Sequence, residues 1–207
     1  MSTDVARGAL GAGHWVAAAG RNPQSVAEAI GPGDDLLVAK LDLTDRADST
    51  AVVQAALHRF GRVDVPVSNA GNFYAVYFEE VSPDSMRAQL ETNLFGPMNI
   101  TRAVLPVMRR QRSGHVITIT STAALVGQEF SGAYQRASSV SRVGWCQCAD
   151  IEPYGIYTTI VEPGYFRTDL LVEDSSMIWP ALSIDDYAER TTQRKAMLTP
   201  CPKIWSI

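Results

Sequence analysis

Short apolar runs alternate with amphipathic stretches along the chain. The apolar runs predict five β-strands, which span His14–Ala19, Leu36–Leu41, Val63–Val67, Val116–Thr120 and Ile156–Val161. These runs are apolar at nearly every position, whereas a strand with one face in water alternates between apolar and polar residues. The pattern therefore indicates strands that are buried on both faces of a parallel sheet.

Helical patterns fill the segments between the strands. Asn22-Pro23 marks one helix start, because a capping residue precedes a proline at the first helical position. The longer helical stretches span about Asp45–Phe60, Pro83–Arg112 with an interruption near Gly96-Pro97, and Ala133–Ile151. Parallel strands that alternate with helices are joined by right-handed crossovers. The sequence thus predicts the α/β class, with a doubly wound, Rossmann-like parallel sheet in a three-layer α/β/α arrangement.

The composition is that of an ordinary globular protein, with 207 residues, of which 46% are hydrophobic and 19% charged. We expect a single domain over residues 1-207, with an atypical tail at 199-207. The net charge of −4 and the lack of a run of Lys or Arg argue against nucleic acid as a partner. No apolar stretch approaches the roughly 18 residues that a membrane-spanning helix needs, and the first residues do not resemble a secretory signal.

The three cysteines are Cys146, Cys148 and Cys201. An odd number without a disulfide framework predicts reduced thiols and a cytoplasmic protein. Cys146-Gln147-Cys148 has the look of a metal motif, but no His or further Cys stands nearby to complete a ligand set. We therefore expect no metal site.

Small and polar residues follow the predicted strands. In a parallel α/β sheet the carboxyl ends of the strands meet at one edge, and ligands bind there. The segments at that edge are Gly20-Arg21-Asn22, Asp42-Leu43-Thr44, Ser68-Asn69-Ala70-Gly71, Thr120-Ser121-Thr122 and Pro163-Gly164. Each segment alone is an ordinary turn signal, but five of them at one edge predict a ligand-binding site.

These segments resemble the motifs of the short-chain dehydrogenase/reductase family, from about residue 8 to about residue 198. The matching segments are Ser68-Asn69-Ala70-Gly71, Glu91-Thr92-Asn93, Ile119-Thr120-Ser121, Gly132-Ala133-Tyr134 and Pro163-Gly164-Tyr165-Phe166-Arg167-Thr168. The resemblance implies hydride transfer between a nicotinamide cofactor and an alcohol or a ketone/aldehyde. It implies that Tyr134 exchanges a proton with the substrate oxygen, that Ser121 hydrogen-bonds that oxygen, and that Asn93 holds a water of a proton relay.

The resemblance also implies where the cofactor would bind. Asp42 and Leu43 would border the adenine. At the ribose it implies Asn69, Ala70 and Gly71. At the nicotinamide carboxamide it implies Pro163, Gly164 and Thr168. Arg21 stands where a basic residue in this family pairs with the 2′-phosphate of NADP(H), and a guanidinium can bind phosphate through two hydrogen bonds. We therefore expect NADP(H) rather than NAD.

The first departure from the family pattern concerns the N-terminal strand and the glycine-rich loop that cradles the diphosphate. Gly8, Gly11 and Gly13 have the wrong spacing and follow no strand, so we interpret residues 6–13 as the end of a helix and its turn. A missing central strand forces its two neighbours to pair directly or to leave backbone groups without partners. Each such buried group costs about 1–3 kcal/mol.

The second departure lies one helical turn after Tyr134, where Ser138 stands in place of the family's lysine. A nearby cation lowers the pKa of a tyrosine. Arg136 is predicted to face away from Tyr134, and Arg142 lies two turns further on, so neither is a ready substitute. These departures weigh against turnover by the chain as written.

The family's last strand also has no counterpart before or within the tail at 199-207, so the fold is predicted to be incomplete at both termini. Reading-frame errors in the gene would account for Ser138 and the tail, because a shifted reading of Val-Glu-Gly codons gives Ser141-Arg142-Val143. A late start codon would account for the missing first strand.

Three functions stay open. The first is an NADP(H)-dependent oxidoreductase for a small apolar alcohol or ketone, since an apolar lid is predicted from Tyr165, Phe166, Val172, Met177, Ile178 and Trp179. The second is a non-catalytic relic or a pairing subunit. The third is a nucleotide-independent isomerase or cyclase that uses Ser121 and Tyr134. The resemblance implies a homo-oligomer formed through the helices at 83-112 and 133-151.

Overall fold

The computed structural model describes residues 1–127, 129–144, 148–164, 170, 176–179 and 183–198. The α-helices are α1 (Ser2–Gly11), α2 (Pro23–Ile30), α3 (Arg46–Phe60), α4 (Pro83–Leu90), α5 (Gly96–Gln111), α6 (Gly132–Gly144), α7 (Cys148–Ile151) and α8 (Asp185–Leu198). The strands are β1 (Val16–Gly20), β2 (Leu36–Lys40), β3 (Val67–Ser68), β4 (Phe73–Tyr74), β5 (Gly114–Ile119), β6 (Ile156–Val161) and β7 (Met177–Ile178). Every pair of strands with a determined register is parallel, which confirms the predicted α/β class.

The chain divides into two compact units, each built from separated stretches. Unit 1 comprises Met1–Asn69, Phe95–Thr118 and Gln147–Thr159, and unit 2 comprises Ala70–Leu94, Ile119–Cys146 and Ile160–Ile207. The single domain over residues 1-207 stays a prediction.

In unit 1, β1 and β2 form a two-stranded sheet whose register runs from Val16 beside Leu36 to Gly20 beside Lys40. The helices after these strands begin at the expected caps. The Asn22 side chain accepts a hydrogen bond from the Ser25 backbone N–H, and Asp45 accepts one from the Ala47 N–H. The helix α3 ends at Gly61, whose φ of 78° favours glycine. These local signals place the carboxyl ends of β1 and β2 next to each other.

A second parallel sheet has the order β3-β5-β6. Of the predicted strand at Val63–Val67, only Val67 and the following Ser68 pair, with Ile117 and Thr118 of β5. Among the described strands, β1 pairs with β2 alone and β3 with β5 alone. The strands β1 and β3 therefore do not pair directly, and each keeps an unpaired edge among the described strands.

Burial of the strands on both faces was the wrong expectation for part of the sheet. The residues of β1 are half-buried or exposed, and β6 alternates, with Ile156 buried and Tyr157 65% exposed. The physical reason is that β1 and β6 end their sheets among the described strands. An edge strand loses the cover that a neighbouring strand and its helix would provide.

The helical stretch predicted between Pro83 and Arg112 forms with an interruption. Helix α4 leads into a π-helix at Glu91–Phe95, and α5 follows from Gly96. A π-turn widens the helix locally and is common at functional sites. Pro97 lies in the first turn of α5, where a backbone N–H has no partner within the helix, so the N–H that proline lacks is not needed there.

In unit 2 the strands β4 and β7 pair in parallel, and α6 packs against a 3₁₀ helix at Thr122–Ala124. The predicted helix at Ala133–Ile151 is present as α6 and α7, with residues 145–147 between them outside the description. The tail at 199-207 also lies outside it. No described helix is long and apolar enough to cross a membrane, and no three described His, Cys, Asp or Glu side chains are grouped to hold a metal.

Candidate active site

Tyr134 lies in the first turns of α6, in an aromatic cluster of unit 2. Its ring meets the ring of Phe73 edge-on, with 5.2 Å between centroids. The buried residues of this cluster are Phe73, Ala75, Tyr77, Phe130 and Met177, and Tyr134, Leu170, Trp179 and Tyr187 pack against them. The phenol is therefore held by its ring, and its hydroxyl is left to make polar contacts.

The Tyr134 hydroxyl lies near the side chains of Ser121 and Ser138, and both hydroxyls lower the pKa of Tyr134. Ser121 follows β5 and caps the 3₁₀ helix, where its Oγ accepts a hydrogen bond from the Ala123 N–H at 3.1 Å. Ser138 lies one turn after Tyr134 on α6, and helical residues four apart share a face. The structure thus brings together the two side chains predicted at the substrate oxygen.

Burial raises the pKa of Tyr134 above its usual value, and the hydrogen bonds with Ser121 and Ser138 offset only part of this effect. A phenol in such surroundings stays protonated at neutral pH. Tyr134 can therefore give a proton to a substrate oxygen, whereas the ionised form is rare.

The two arginines near Tyr134 in the sequence are occupied elsewhere. Arg136 donates to the Gly132 carbonyl at 2.9 Å and lies over the Phe78 ring at 4.2 Å. Arg142 forms a salt bridge with Glu162 at 2.7 Å. Neither arginine contributes to the pKa of Tyr134, as the sequence predicts from their spacing.

Asn93 lies in the π-helix and is engaged through both its side chain and its backbone. Its Oδ1 accepts from the Asn72 N–H at 3.0 Å, and its Nδ2 donates to the Asn72 carbonyl at 2.8 Å. Its own carbonyl accepts a hydrogen bond from the Ser141 hydroxyl at 2.9 Å. That Asn93 holds a relay water stays a prediction.

Gln89 is a residue of this region that the sequence analysis missed. It is fully buried, its Oε1 accepts from the Tyr74 N–H at 3.0 Å, and its Nε2 donates to the Asn72 carbonyl at 2.8 Å. Gln89 therefore fixes the backbone on both sides of Phe73, the residue that contacts the Tyr134 ring. Its place four residues before Asn93, on the same helical face, is the signal that could have found it.

Residues predicted at the adenine end of the cofactor lie in unit 1. Asp42 follows β2 and accepts from the Thr44 hydroxyl at 2.7 Å and the Thr44 N–H at 2.9 Å. These two hydrogen bonds hold the pKa of Asp42 below its usual value, and the bond from the Thr44 hydroxyl contributes most. The nearby positive charge of Arg21 lowers the pKa further. The Leu43 carbonyl accepts from Asn99 Nδ2 at 3.0 Å. Arg21 is exposed at the end of β1.

Asn69 is the remaining predicted cofactor residue of unit 1. Its Nδ2 donates to the Ser2 hydroxyl at the start of α1. Its Oδ1 is buried and has no hydrogen-bond partner. An orphaned acceptor of this kind suits a donor such as a ribose hydroxyl, because a buried polar atom without a partner is costly.

Other predicted cofactor residues belong to unit 2. A Cβ at Gly71 would lie 3.3 Å from Asn93 Oδ1, so the backbone at Ala70 and Gly71 passes close to the Asn93 side chain. The Pro163 carbonyl accepts from the Thr122 N–H at 3.1 Å, and Gly164 is exposed. Thr168 lies outside the described residues, as do Tyr165, Phe166 and Val172 of the predicted lid.

The residues present fit one half of a nicotinamide dinucleotide better than the other. Arg21, Asp42 and the orphaned Asn69 oxygen offer charge and hydrogen bonds to a nucleoside. Within the described part of unit 1 no glycine-rich turn joins a strand to α1, so the usual backbone cradle for a diphosphate is not formed there.

A sequence model of the family "short chain dehydrogenase" matches residues 1–179. An oxidoreductase of Botryotinia fuckeliana, BOA17, is 32% identical over 182 residues, which cover 86% of this chain and 66% of that protein. The bovine dehydrogenase/reductase SDR family member 7B is 38% identical over 130 residues, covering 61% of this chain and 40% of that protein. The chain thus spans less than two thirds of the length of these relatives.

Solved structures show the same likeness. A short-chain dehydrogenase from Streptomyces avermitilis has a TM-score of 0.83 and 30% identity, with 96% of this chain and 74% of that chain covered. A gluconate 5-dehydrogenase from Burkholderia cenocepacia, in complex with NADP and tartrate, has a TM-score of 0.73 and 28% identity, with 83% and 70% covered. Both resemblances extend over most of the described chain.

Proposed function

Because the chain belongs to the short-chain dehydrogenase/reductase family, we propose that it interconverts an alcohol and a ketone or aldehyde, with Tyr134 as the acid/base group. The observation that carries the proposal is the partly buried phenol of Tyr134, packed against the aromatic cluster and near Ser121 at the carboxyl end of β5. This pair supplies a proton donor and a hydrogen-bonding hydroxyl at one point, which is what a carbonyl oxygen requires as it gains charge.

The cofactor proposed is NADP(H), and when bound it would supply or accept the hydride. Arg21 supports this choice, because its guanidinium is exposed at the end of β1 and makes no salt bridge with any described residue. A free guanidinium suits a 2′-phosphate. The Burkholderia cenocepacia relative, whose structure contains NADP, is consistent with this preference.

The residues of the chain divide the remaining work. Tyr134 would give its proton to the carbonyl oxygen, and Ser121 would donate a hydrogen bond to the same atom. The aromatic cluster around Phe73 and Phe130 excludes water from the Tyr134 ring and favours an apolar substrate. Met177 is buried in that cluster and Trp179 packs against it, which supports an apolar ketone or aldehyde as the substrate class.

Cofactor titration tests the proposal. We expect purified protein to bind NADPH with a Kd below about 1 mM, the upper end of common KM values, and more tightly than NADH. A panel of apolar ketones and aldehydes should then show substrate-dependent NADPH oxidation. Failure of both nucleotides to bind would favour the non-catalytic relic. Turnover of a compound without nucleotide would favour the isomerase or cyclase.

A homo-oligomer formed through the helices at 83-112 and 133-151 is part of the proposal. Phe95 and Val140 lie in these helical stretches and are 42% and 49% exposed. Exposed apolar side chains of this kind can mark a surface that binds another protein chain. Light scattering should show an oligomer, and Val140→Glu should weaken it. Val126→Glu, at a valine that is 63% exposed and lies outside these helices, is the control.

A further inference from the structure

One face of α8 is turned toward the aromatic cluster of unit 2. Tyr187, Thr191 and Lys195 stand four residues apart along the helix, and this spacing places them on the same face. The Tyr187 ring stacks on the Tyr77 ring, with 4.5 Å between centroids. The Lys195 ammonium lies 4.3 Å from the centroid of the Trp179 ring. Thr191 lies between these two contacts, so its side chain also faces the cluster.

Two hydrogen-bonding atoms on this side of the cluster have no partner in the part of the chain that the structure describes. These atoms are Trp179 Nε1 and Thr191 Oγ1, and both are buried. Thr192 shows the usual alternative for a threonine in a helix, because its hydroxyl donates to the Ala188 carbonyl at 2.9 Å. A buried donor without an acceptor is costly, so a bound ligand that accepts hydrogen bonds would stabilise both groups.

The charge beside these two atoms is positive. Lys195 is exposed and forms no salt bridge with any described residue. Arg190 and Arg194 of the same helix instead share the Glu129 carboxylate, to which Tyr77 also donates at 3.2 Å. An ammonium without a carboxylate partner among the described residues therefore lies next to the two unpaired groups. Its flexible stem allows it to move and admit a ligand.

The aromatic cluster connects this group of donors to Tyr134. Trp179 packs on Phe130, with 5.6 Å between ring centroids, and Tyr134 packs on Phe73 at 5.2 Å. Phe73 pairs with Met177, and two extended residues, which span roughly 7 Å, lead from Met177 to Trp179. An apolar molecule that lies on the cluster would thus reach from the Tyr134 hydroxyl to the Trp179 indole.

We propose that the Trp179 indole N–H, the Thr191 hydroxyl and the Lys195 ammonium bind a carboxylate at the end of the substrate remote from the reacting oxygen. The substrate class is then an apolar ketone or aldehyde with a carboxylate at the far end of its hydrocarbon chain. This inference rests on the proposed function and refines its substrate. A carboxylate offers only acceptors and one negative charge, which match two neutral donors and one ammonium. A phosphate is bound best by arginines, and those of α8 are occupied by Glu129.

Binding of octanoate tests the site without turnover, since octanoate has the carboxylate and the apolar chain but no ketone to reduce. NMR of protein with ¹⁵N-labelled tryptophan reports the indole N–H, and Trp179→Phe assigns its signal. We expect octanoate to shift the Trp179 signal, and methyl octanoate, which lacks the charge, to bind about tenfold more weakly.

Variants of the other two donors should weaken octanoate binding. Lys195→Gln should weaken it about tenfold, because a charge-assisted hydrogen bond is lost. Thr191→Val should weaken it about threefold to tenfold, since a neutral hydrogen bond is lost. The matched controls are Thr192→Val, whose hydroxyl is bound to a carbonyl of its own helix, and Lys40→Gln, at a lysine of β2 that pairs with Asp48. Both controls should bind octanoate as the wild type does.

The inference is wrong if octanoate leaves the Trp179 signal unchanged, or if methyl octanoate or octyl phosphate binds at least as tightly as octanoate. It is also wrong if Thr192→Val weakens octanoate binding as much as Thr191→Val does. Melting temperatures identify variants that fail to fold, and Lys195→Gln, at an exposed side chain, carries the test if Trp179→Phe or Thr191→Val does not fold.

Turnover separates this inference from the function on which it rests. A methyl ketone with a terminal carboxylate should be reduced with a kcat/KM about tenfold higher than its methyl ester, and Lys195→Gln should remove that difference. Octanoate binding without reduction of any ketone or aldehyde would overturn the proposed function and leave the carboxylate site standing. Equal reduction of the acid and the ester would overturn the carboxylate site and leave the proposed function standing.

Discussion

The surroundings of Tyr134 and the carboxyl ends of β1 and β2 differ in how completely they are built. Tyr134 packs against the Phe73 ring and lies near the hydroxyls of Ser121 and Ser138, and the backbone beside Phe73 is fixed by the buried Gln89. The β1–β2 pair has an unpaired edge among the described strands, and Arg21 at its end is exposed. The comparison teaches that the residues proposed for proton transfer lie among packed side chains, whereas the residues proposed for nucleotide binding lie at a more exposed edge.

The largest effect should come from Tyr134 itself. Tyr134→Phe should lower kcat/KM for carbonyl reduction by a factor of about 10²–10⁴, because a positioned proton donor contributes that much. The ring stays in place beside Phe73, so stability should change little. Steady-state kinetics with NADPH and the best ketone of the panel measure it, and Tyr157→Phe, at an exposed tyrosine, should behave as wild type. Equal rates in both variants would place the chemistry elsewhere.

Next in size is the support of the Tyr134 region by Gln89. Gln89→Leu leaves the Tyr74 N–H without its partner and removes one of the two donors to the Asn72 carbonyl, which Asn93 Nδ2 still reaches. It should cost about 1–3 kcal/mol of unfolding free energy, the usual cost of one buried unsatisfied group. Urea unfolding measures it. The control is Gln24→Leu, at an exposed glutamine whose amide donates to Glu28, which should change stability by less than about 0.5 kcal/mol. If Gln89→Leu and Gln24→Leu lowered the unfolding free energy equally, Gln89 would not be a special support of the Tyr134 region.

The nucleotide-binding edge should respond in affinity rather than stability. Arg21→Glu should weaken NADPH binding about tenfold to a hundredfold, as loss of a charge-assisted hydrogen bond and gain of a repulsive charge predict, and should leave NADH binding nearly unchanged. Calorimetric titration with both nucleotides measures the difference. Arg110→Glu, an exposed arginine on α5, should leave both affinities as they are. If Arg21→Glu weakened the binding of NADPH and NADH equally, Arg21 would not bind the 2′-phosphate.

The smallest effect concerns Asp42. Its pKa is lowered in the folded state by the Thr44 hydroxyl and N–H, so the stability that this group contributes is present above its unfolded pKa of about 3.9 and is lost as the pH falls through the folded value. Thr44→Ala should reduce stability by no more than about 0.5 kcal/mol at pH 7, and the difference from wild type should shrink below pH 4. Thermal melts at pH 3 to 7 measure it, with Thr50→Ala as the control. If the stability difference between Thr44→Ala and the wild type grew as the pH fell, the Asp42 pKa would not be lowered by folding.

Local signals in the sequence carried much of the fold and part of the candidate site. Asn22 and Asp45 cap their helices, and the break in the long helix falls beside Gly96-Pro97, because caps and prolines act within one turn. Tyr134 and Ser121 were predicted as a pair, and the structure places the Ser121 side chain near the Tyr134 hydroxyl. Gln89 was missed, since a glutamine in a helix is usually exposed and only its neighbours in space show that it is buried.

The extent of pairing could not be predicted from apolar runs. Val63–Val67 has the composition of a strand, yet only Val67 and Ser68 pair with β5. Strand β5 also lies beside the earlier residues, because the Asp64 and Pro66 carbonyls accept hydrogen bonds from the His115 and Ile117 N–H groups at 2.8 and 3.0 Å. Pairing does not continue there because Pro66 has no N–H to donate. The half-buried β1 and the alternating β6 have a different cause, which is their place at the edge of a sheet.

By itself the sequence determined the alternation of helices and strands, the family and the identity of the groups that could transfer a proton. Such features depend on residue type and short spacing. The tertiary structure decided that β1 and β3 do not pair among the described strands, that Arg136 and Arg142 are engaged by other partners, and that Ser121 lies near the Tyr134 hydroxyl. These outcomes depend on which side chains from distant parts of the chain come within a few ångströms of each other, and spacing along one chain does not encode that distance.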